Sequence, residues 1–276
     1  MSGSTSIFND TVGRVLIGIL VVFCVIFTGP YLVGSLLENM YRSSLESELV
    51  YTVSISTTTP LSQVTLFLPL PVDRNGTSPV IEQIGLRGND TEFNNWNITI
   101  FGANNEAFLK VWTDSVACPL ERQQNSIYSF TVIAPSDSAF NTRDVLQYDY
   151  ILLPKKNLTN VPCPGTDSQL QCYQYTTILY RSYYAAADTE VEIRVSLQGI
   201  NRWHILEDYK NFYSDGLDAA FTGPAEGWDS VNGWIQTSEG DVNPFWKESV
   251  EKKNRTRLTH GIDTSMMRWH TFTPLP

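Results

Sequence analysis

The sequence has little positive charge and few cysteines. Among its 276 residues, 19 Lys and Arg oppose 29 Asp and Glu, which gives a formal net charge of −10. This balance argues against nucleic-acid binding, which needs basic surface to displace counterions from phosphate. Four cysteines are too few for a disulfide scaffold. Charged residues amount to 17% and hydrophobic residues to 42%, so the composition excludes a disordered, collagen-like or coiled-coil chain and supplies enough apolar residues for a core.

Recognisable catalytic and binding motifs are absent as well. The chain contains no G-x-S-x-G elbow, no G-x-x-x-x-G-K-[ST] loop, no H-E-x-x-H helix and no EF-hand loop. Its acidic residues lack a spacing typical of paired catalytic carboxylates or of a calcium loop. We therefore predict no catalytic residue, no metal site and no cofactor, and we favour a non-enzymatic protein. The acidic residues considered for these roles are Asp215, Asp218, Glu226, Asp229, Glu239 and Asp241.

The three histidines are the remaining candidates for chemistry. Imidazole suits zinc binding and general-base catalysis, and His260 and His270 lie near each other in the sequence. If the chain around His204 were helical, Asp208 would lie on the same face as the imidazole. The interpretation we favour is that the histidines lie in turns and make ordinary hydrogen bonds.

A membrane-spanning segment is the clearest feature of the chain. Residues 15–37 contain no charged side chain, and as a helix they would span about 34 Å, enough to cross a hydrocarbon core of about 30 Å. A cleaved signal peptide would have a shorter apolar stretch and a small-x-small cleavage site. Because the run continues past Gly29 and Pro30 without such a site, we predict an uncleaved signal anchor.

The charges around this segment predict its orientation. Arg14 lies on one side, and three glutamates and one arginine within residues 38–48 lie on the other. The positive-inside rule places residues 1–14 in the cytoplasm and 38–276 outside, as a single-pass protein of the cell membrane. Asn9 of a further sequon would stay unmodified inside. Five sequons on the outer side predict glycosylation at Asn75, Asn89, Asn97, Asn157 and Asn254.

The exported part is rich in β-strand patterns. Residues 38–49 predict a short helical stalk, and the period of the hydrophobic pattern then changes to two. Eight runs of β-branched and aromatic residues, separated by turn residues, predict a mainly β, antiparallel, sandwich-like domain over residues 50–276. These runs are 50–56, 64–68, 96–101, 107–113, 126–133, 145–153, 173–182 and 189–198.

The last part of the chain, residues 200–276, is rich in tryptophan. We expect it to pack on the sandwich and to supply further strands, with a separate subdomain as the alternative; Asn243-Pro244 and the nine residues after them predict a short capped helix. Exposed tryptophans stack on sugars and anchor protein interfaces. Five form a candidate ligand platform: Trp203, Trp228, Trp234, Trp246 and Trp269.

The cysteines allow one disulfide in the exported part. Cys163 and Cys172 bracket a turn-rich segment and can close it in an oxidising compartment. Cys118 is an alternative partner for either, because Cys118-Pro119 and Cys163-Pro164 are similar turns. Cys24 lies in the apolar segment, where it would act as a small apolar residue.

Two blocks resemble known proteins. Residues 53–72 (VSISTTTPLSQVTLFLPLPV) and 195–204 (VSLQGINRWH) are similar to uncharacterised membrane-anchored surface proteins of archaea, particularly methanogens. The resemblance implies an exported β-rich domain and no assigned activity.

These features together predict a membrane-anchored, glycosylated cell-surface protein with a non-enzymatic role in interaction or envelope structure. Its expected partners are the lipid bilayer through residues 15–37 and other envelope proteins or surface glycans, with no nucleic acid. Three alternatives stay open: a pilin-like filament subunit processed near Gly13, an accessory subunit of a membrane complex, and an extracytoplasmic hydrolase.

Overall fold

One long N-terminal helix precedes a sheet of eleven strands in the computed structural model. All the described residues belong to one compact unit within Met1–Asp241. The structure describes residues 5–72, 77–87, 96–103, 106–116, 126–144, 146, 150–163 and 170–237.

The helices are α1 (Thr5–Ser44) and α2 (Pro79–Arg87). The strands, in chain order, are β1 (Glu46–Thr57), β2 (Leu61–Val72), β3 (Asn97–Ala103), β4 (Glu106–Val116), β5 (Ser126–Ser136), β6 (Ile151–Leu153), β7 (Lys156–Val161), β8 (Cys172–Tyr184), β9 (Glu190–Ile205), β10 (Glu207–Thr222) and β11 (Ala225–Thr237).

Helix α1 contains the predicted span. Its part from Arg14 to Ser44 is long and apolar enough to cross a membrane. The large apolar side chains described from Val15 to Leu36 are exposed, whereas Tyr41 near the end of the helix is buried. The helix continues through Pro30 and on to Ser44, into the predicted stalk. Strand β1 begins at Glu46, so only one residue separates the helix from the sheet. The predicted helical stalk of residues 38–49 is therefore wrong from Glu46 onward, because residues 46–49 pair with β9 as part of β1.

The strands form one curled antiparallel sheet. Its main order is β3-β4-β2-β8-β11-β10-β9-β1-β5, with β6 paired to β2 and β7 paired to β8. The curl brings distant strands face to face: the Tyr51 hydroxyl on β1 donates to the Pro69 carbonyl on β2, 2.9 Å away. The mainly β, sandwich-like fold predicted from the sequence is therefore confirmed, with the two faces supplied by a single sheet that curls.

Every second side chain of each strand points inward and helps to fill the space inside the curl. Side chains of a strand point to opposite faces in turn, so each strand contributes every second residue to the core. The fully buried inner residues include Leu49, Tyr51, Val53, Leu66, Leu68, Leu109, Val111, Leu179, Ile193, Val195, Leu197 and Tyr213.

Most of the predicted β runs coincide with observed strands. The exception is 145–153, where Ile151–Leu153 is the strand among the described residues. The run 64–68 also ends before the strand does: β2 continues through Pro69-Leu70-Pro71 to Val72, because its last residues pair with β6. The sequence patterns therefore located the strands well but placed this strand end too early.

The described part of the tryptophan-rich tail belongs to the main sheet. Strand β9 passes through Gly199 without interruption, and β10 and β11 pair with β9 and β8. Residues 200–237 thus supply strands to the sheet. The helix expected after Pro244 lies outside the described residues.

Helix α2 was missed by the sequence patterns. Ser78 caps it, because its hydroxyl accepts from the Ile81 amide and its carbonyl accepts from the Glu82 amide. Val80 and Ile84 of α2 enter the core, and the helix packs on β5 and β1. A nine-residue helix with two core residues leaves too short a periodic signal to separate from a loop.

Two tyrosines pack flat against glycines on the neighbouring strand. Tyr213 lies directly opposite Gly199, and Tyr175 lies directly opposite Gly233. A Cβ atom on Gly199 would lie 2.1 Å from a Tyr213 ring carbon, and one on Gly233 would lie 2.2 Å from a Tyr175 ring carbon. Only glycine leaves room for these inward rings, which is how the sheet accommodates large side chains at its centre.

Gly199→Ala tests this close contact. Because the added methyl group overlaps the buried Tyr213 ring, we expect the free energy of unfolding to fall by about 1–3 kcal/mol. Chemical denaturation of the full chain in mild detergent, followed by tryptophan fluorescence, measures the change. Ser129→Ala, at an exposed position of β5, is the control and should change stability by less than about 0.5 kcal/mol. Equal midpoints for both variants would contradict the packing.

Candidate functional site

Aromatic side chains form a row across the outer face of four strands. Phe67 on β2 lies opposite Lys110 on β4 on one side and opposite Tyr180 on β8 on the other. Tyr180 in turn lies opposite Trp228 on β11. Directly opposed residues share a face of the sheet, so these four side chains form one continuous row.

The rings of the row touch one another. The Phe67 and Tyr180 ring centroids are 5.2 Å apart, those of Tyr180 and Trp228 5.4 Å, and those of Phe67 and Trp228 5.8 Å. The Lys110 ammonium lies 5.8 Å from the Phe67 centroid and 5.0 Å from that of Trp112. Both separations lie within the range of cation–π attraction.

Two further phenylalanines extend the row. The Phe101 ring on β3 lies 5.1 Å from that of Phe67, and the Trp228 indole leans over Phe108 at 5.2 Å, so Phe108 is covered. Trp228 keeps 49% of its surface exposed and Phe101 keeps 42%. We call this set the outer aromatic surface: Phe67, Phe101, Phe108, Lys110, Tyr180 and Trp228.

The outer aromatic surface is separate from the core. Leu66 and Leu68, which flank Phe67 in the sequence, point inward and are fully buried, as is Leu179 beside Tyr180. The core is therefore complete without these rings. Exposed aromatic groups that the core does not use are typical of binding surfaces.

Hydroxyl groups surround the rings. Thr65, Ser182 and Ser230 each lie two residues from a ring of the row on the same strand, so alternation places them on the same face. Thr65 and Ser182 are half-buried and directly opposite each other, and Ser230 is exposed. The surface thus combines apolar ring faces with hydrogen-bonding groups at its border.

The five tryptophans of the predicted platform do not lie together. Trp228 and Trp234 are exposed on the outer face of β11, six positions apart. Trp203 is buried, with 3% exposure: its ring stacks on Tyr209 and meets the edge of Tyr41 of α1. Trp203 is therefore a structural residue and not part of a platform. Trp246 and Trp269 lie outside the described residues.

Sequence reasoning missed the other members of the surface. Phe67 alternates with the inward residues of the run from Val64 to Leu68. This alternation was the signal in the sequence that its ring points outward. The partners across the sheet had no such signal, because Tyr180 and Lys110 come from strands distant in sequence.

His204 lies neither in a helix nor in a turn. It is in β9, and its Nδ1 lies 2.8 Å from Asp208 Oδ1 across the tight hairpin that joins β9 to β10. Its backbone is tied to α1, because the Ser44 hydroxyl donates to the His204 carbonyl and accepts from its amide. Among the described residues, no group of three or more His, Cys, Asp and Glu side chains could hold a metal ion. His260 and His270 lie outside that part of the chain.

The acidic candidates are dispersed. Asp218 pairs with Arg194, Asp229 pairs with Arg181, and Glu226 is exposed. Glu239 and Asp241 lie outside the described residues. Asp218 and Asp229 are paired with different arginines, and no hydrogen bond or ion pair of the structure joins these described carboxylates to one another.

Asp215 instead forms a buried polar network with a lysine and a tyrosine. Lys155 Nζ lies 2.6 Å from Asp215 Oδ2, and the two side chains are 6% and 0% exposed. The Leu152 amide donates to the same oxygen at 2.8 Å, and the Tyr175 hydroxyl donates to Oδ1 at 2.7 Å. Lys155 Nζ also donates to the Leu152 carbonyl and lies 3.8 Å from the Tyr175 ring centroid.

Burial changes the acidity of this network. Loss of solvation lowers the pKa of Lys155 to about 8, although the Asp215 charge acts in the opposite direction. Burial and the Asp215 charge both raise the pKa of Tyr175, so its hydroxyl stays protonated and donates to the carboxylate. The network therefore holds a lysine that loses its proton more readily than an exposed one.

The structure contains a disulfide between Cys163 and Cys172, the pair that the sequence predicted. It joins the segment after β7 to the first residue of β8. Cys118 lies outside the described residues.

Two of the predicted glycosylation sites are described. Asn97 on β3 and Asn157 on β7 are both exposed, so a glycan could be attached to either without disturbing the core. Asn75, Asn89 and Asn254 lie outside the described residues.

No known protein family, no curated protein and no solved structure matches this chain. The resemblance of residues 53–72 and 195–204 to archaeal surface proteins stays a prediction.

Substitution of single tryptophans by phenylalanine tests the placement of Trp228 and Trp203. Trp228→Phe removes an exposed fluorophore, so we expect the average quenching of the full chain by acrylamide to decrease. Trp203→Phe removes a buried fluorophore, and the average quenching should increase. Stern–Volmer slopes measured in the same detergent give both values. Changes in the same direction would contradict the assignment.

Proposed function

We propose that this protein is a membrane-anchored cell-surface protein that binds saccharides, without catalysis, through its outer aromatic surface. The observation that carries the proposal is the contact of Trp228 with Phe67, Phe108 and Tyr180 on a solvent-exposed face. In this proposal α1 crosses the cell membrane once, with residues 1–14 inside and 38–276 outside.

The orientation is supported by charge and by sequons. Arg14 marks the inner end of the span, while Glu38, Glu46 and Glu48 lie beyond its outer end. The exposed positions of Asn97 and Asn157 fit acceptors on an exported surface. The disulfide fits an oxidising compartment.

The chemistry of the surface favours a saccharide over an apolar protein segment. One face of a pyranose ring presents C–H groups, which pack on aromatic rings, while its hydroxyls need hydrogen-bonding partners. The rings of Phe67 and Trp228 offer aromatic faces for the C–H groups. Hydrogen-bonding partners for the sugar hydroxyls are offered by Lys110 and by the hydroxyls of Thr65, Ser182 and Ser230. An apolar protein anchor would leave these border groups without partners, which costs free energy on burial.

Trp228→Ala is the direct test of saccharide binding. The full chain in detergent is applied to a glycan array, and the affinity for the best ligand is then measured by calorimetry. Because Trp228 supplies the largest exposed ring of the surface, we expect at least about a tenfold loss of affinity, equivalent to roughly 1.4 kcal/mol.

Ile133→Ala is the matched control. Ile133 is similarly exposed, at 47%, but lies on β5 outside the outer aromatic surface. The affinity of the Ile133→Ala variant for the glycan should therefore equal that of the unchanged chain. Absence of binding to any glycan, or an equal loss in both variants, would show the proposal to be wrong.

Glycan mapping tests the proposed orientation. When the chain is expressed in a eukaryotic secretory host, Asn157→Gln should lower its mass by one glycan, and Asn97→Gln should do the same. Asn9→Gln should leave the glycan mass unchanged, because residues 1–14 stay inside. The orientation would be the reverse of the proposed one if Asn97 and Asn157 carried no glycan and protease reached the C-terminal part from the cytoplasmic side.

A further inference from the structure

The buried pair of Lys155 and Asp215 has an arrangement suited to a covalent reaction. We propose that Lys155 Nζ and Asp215 Cγ condense to an intramolecular amide bond that cross-links the segment after β6 to the middle of β10. This inference does not depend on the proposed saccharide binding.

The two groups are already held in contact. Nζ lies 2.6 Å from Asp215 Oδ2, the oxygen that would leave, and no solvent reaches the carboxylate. The Leu152 carbonyl holds Nζ from a second direction, and the ring of Tyr175 covers it. Fixing two reactants in this way removes the translational entropy cost of their encounter.

The reaction balances without any co-reactant. In an apolar site a proton passes from the Lys155 ammonium to the carboxylate, which gives a neutral amine and a neutral acid. The Nζ lone pair attacks Cγ, the Nζ–Cγ bond forms, and the Cγ–Oδ2 bond breaks. Oδ2 leaves as water with two of the three Nζ hydrogens, and the third stays on the amide nitrogen. The positive and negative charges cancel, so nothing is oxidised or reduced.

The surroundings favour each part of this step. Burial lowers the pKa of Lys155 to about 8, which increases the fraction of nucleophilic amine. The Tyr175 hydroxyl donates to Oδ1 at 2.7 Å, where negative charge develops as Nζ attacks. Tyr175 thus touches a reacting atom and is the catalytic residue of the proposal. Condensation also removes two buried charges, whose desolvation is costly.

A second ion pair shows why Lys155 and Asp215 are singled out. Arg181 and Asp229 also lie 2.6 Å apart, but their side chains are 16% and 37% exposed. A guanidinium stays protonated and is not a nucleophile, and the open carboxylate is hydrated. The same distance therefore leads only to an ion pair there.

The bond would link residues 60 positions apart in the chain. Closing a loop of this length restricts the unfolded chain and, by the chain-entropy model, stabilises the fold. It would add a second covalent cross-link to the one that the Cys163–Cys172 disulfide provides.

Mass spectrometry of the full chain tests the proposal. After deglycosylation and reduction, the unfolded chain should be lighter than its sequence by the mass of one water molecule. Trypsin cuts after Arg143, Lys156, Lys210 and Lys247, so it should release a branched peptide that joins 144–156 to 211–247. Fragmentation of this peptide should place the link between Lys155 and Asp215.

Five variants sharpen the test. Lys155→Arg and Asp215→Ala should restore the full mass and abolish the branched peptide, whereas Lys156→Arg, at the neighbouring exposed lysine, should keep the link. Asp215→Asn should lose ammonia in place of water. Tyr175→Phe keeps the ring but should slow the appearance of the link at least about tenfold, the effect of losing one donor to a developing oxyanion. An unchanged chain that keeps its full mass after several days at 37 °C would overturn the proposal.

Discussion

The buried carboxylate of Asp215 connects the two halves of the curled sheet. It lies in the middle of β10 and is fully buried, yet it accepts from the Leu152 amide of β6, a strand that pairs with β2 on the opposite side. The same carboxylate contacts Lys155 and Tyr175. Strands β6, β8 and β10 are therefore all joined through this one charged group. Breaking such a network leaves an uncompensated buried charge, which costs several kcal/mol. This contact therefore ties β10 to β6 and β8 inside the curled sheet.

The same curl explains why one face of the sheet stays outside the core. A strand has two faces, and once the inner face has filled the core, the outer face is free of packing constraints. Phe67 illustrates this point, because its neighbours Leu66 and Leu68 complete the core while its own ring remains outside. The rigid sheet then holds Phe67, Tyr180 and Trp228 in fixed register, which lowers the entropy cost of binding a ligand.

The N-terminal helix α1 and the sheet are also physically coupled. One residue separates α1 from β1, and the hydrogen bonds of Ser44 with His204 fasten the end of the helix to β9. The edge contact of Tyr41 with Trp203 adds an apolar part to this junction. The tryptophan that sequence reasoning assigned to a ligand platform thus joins the helix to the sheet.

The sequence alone determined the apolar helix and most of the strands, and it favoured Cys163–Cys172 as the disulfide while leaving Cys118 as an alternative partner. Each depends on local signals: an uncharged run, alternation with period two, or two cysteines that close a short loop. Only the tertiary structure decided that Phe67, Lys110, Tyr180 and Trp228 form one row and that Lys155 meets Asp215. Alternation tells which residues of one strand share a face, but it does not tell which strands become neighbours or in what register. Those choices follow from packing the whole core, and they bring together residues that lie far apart in the chain.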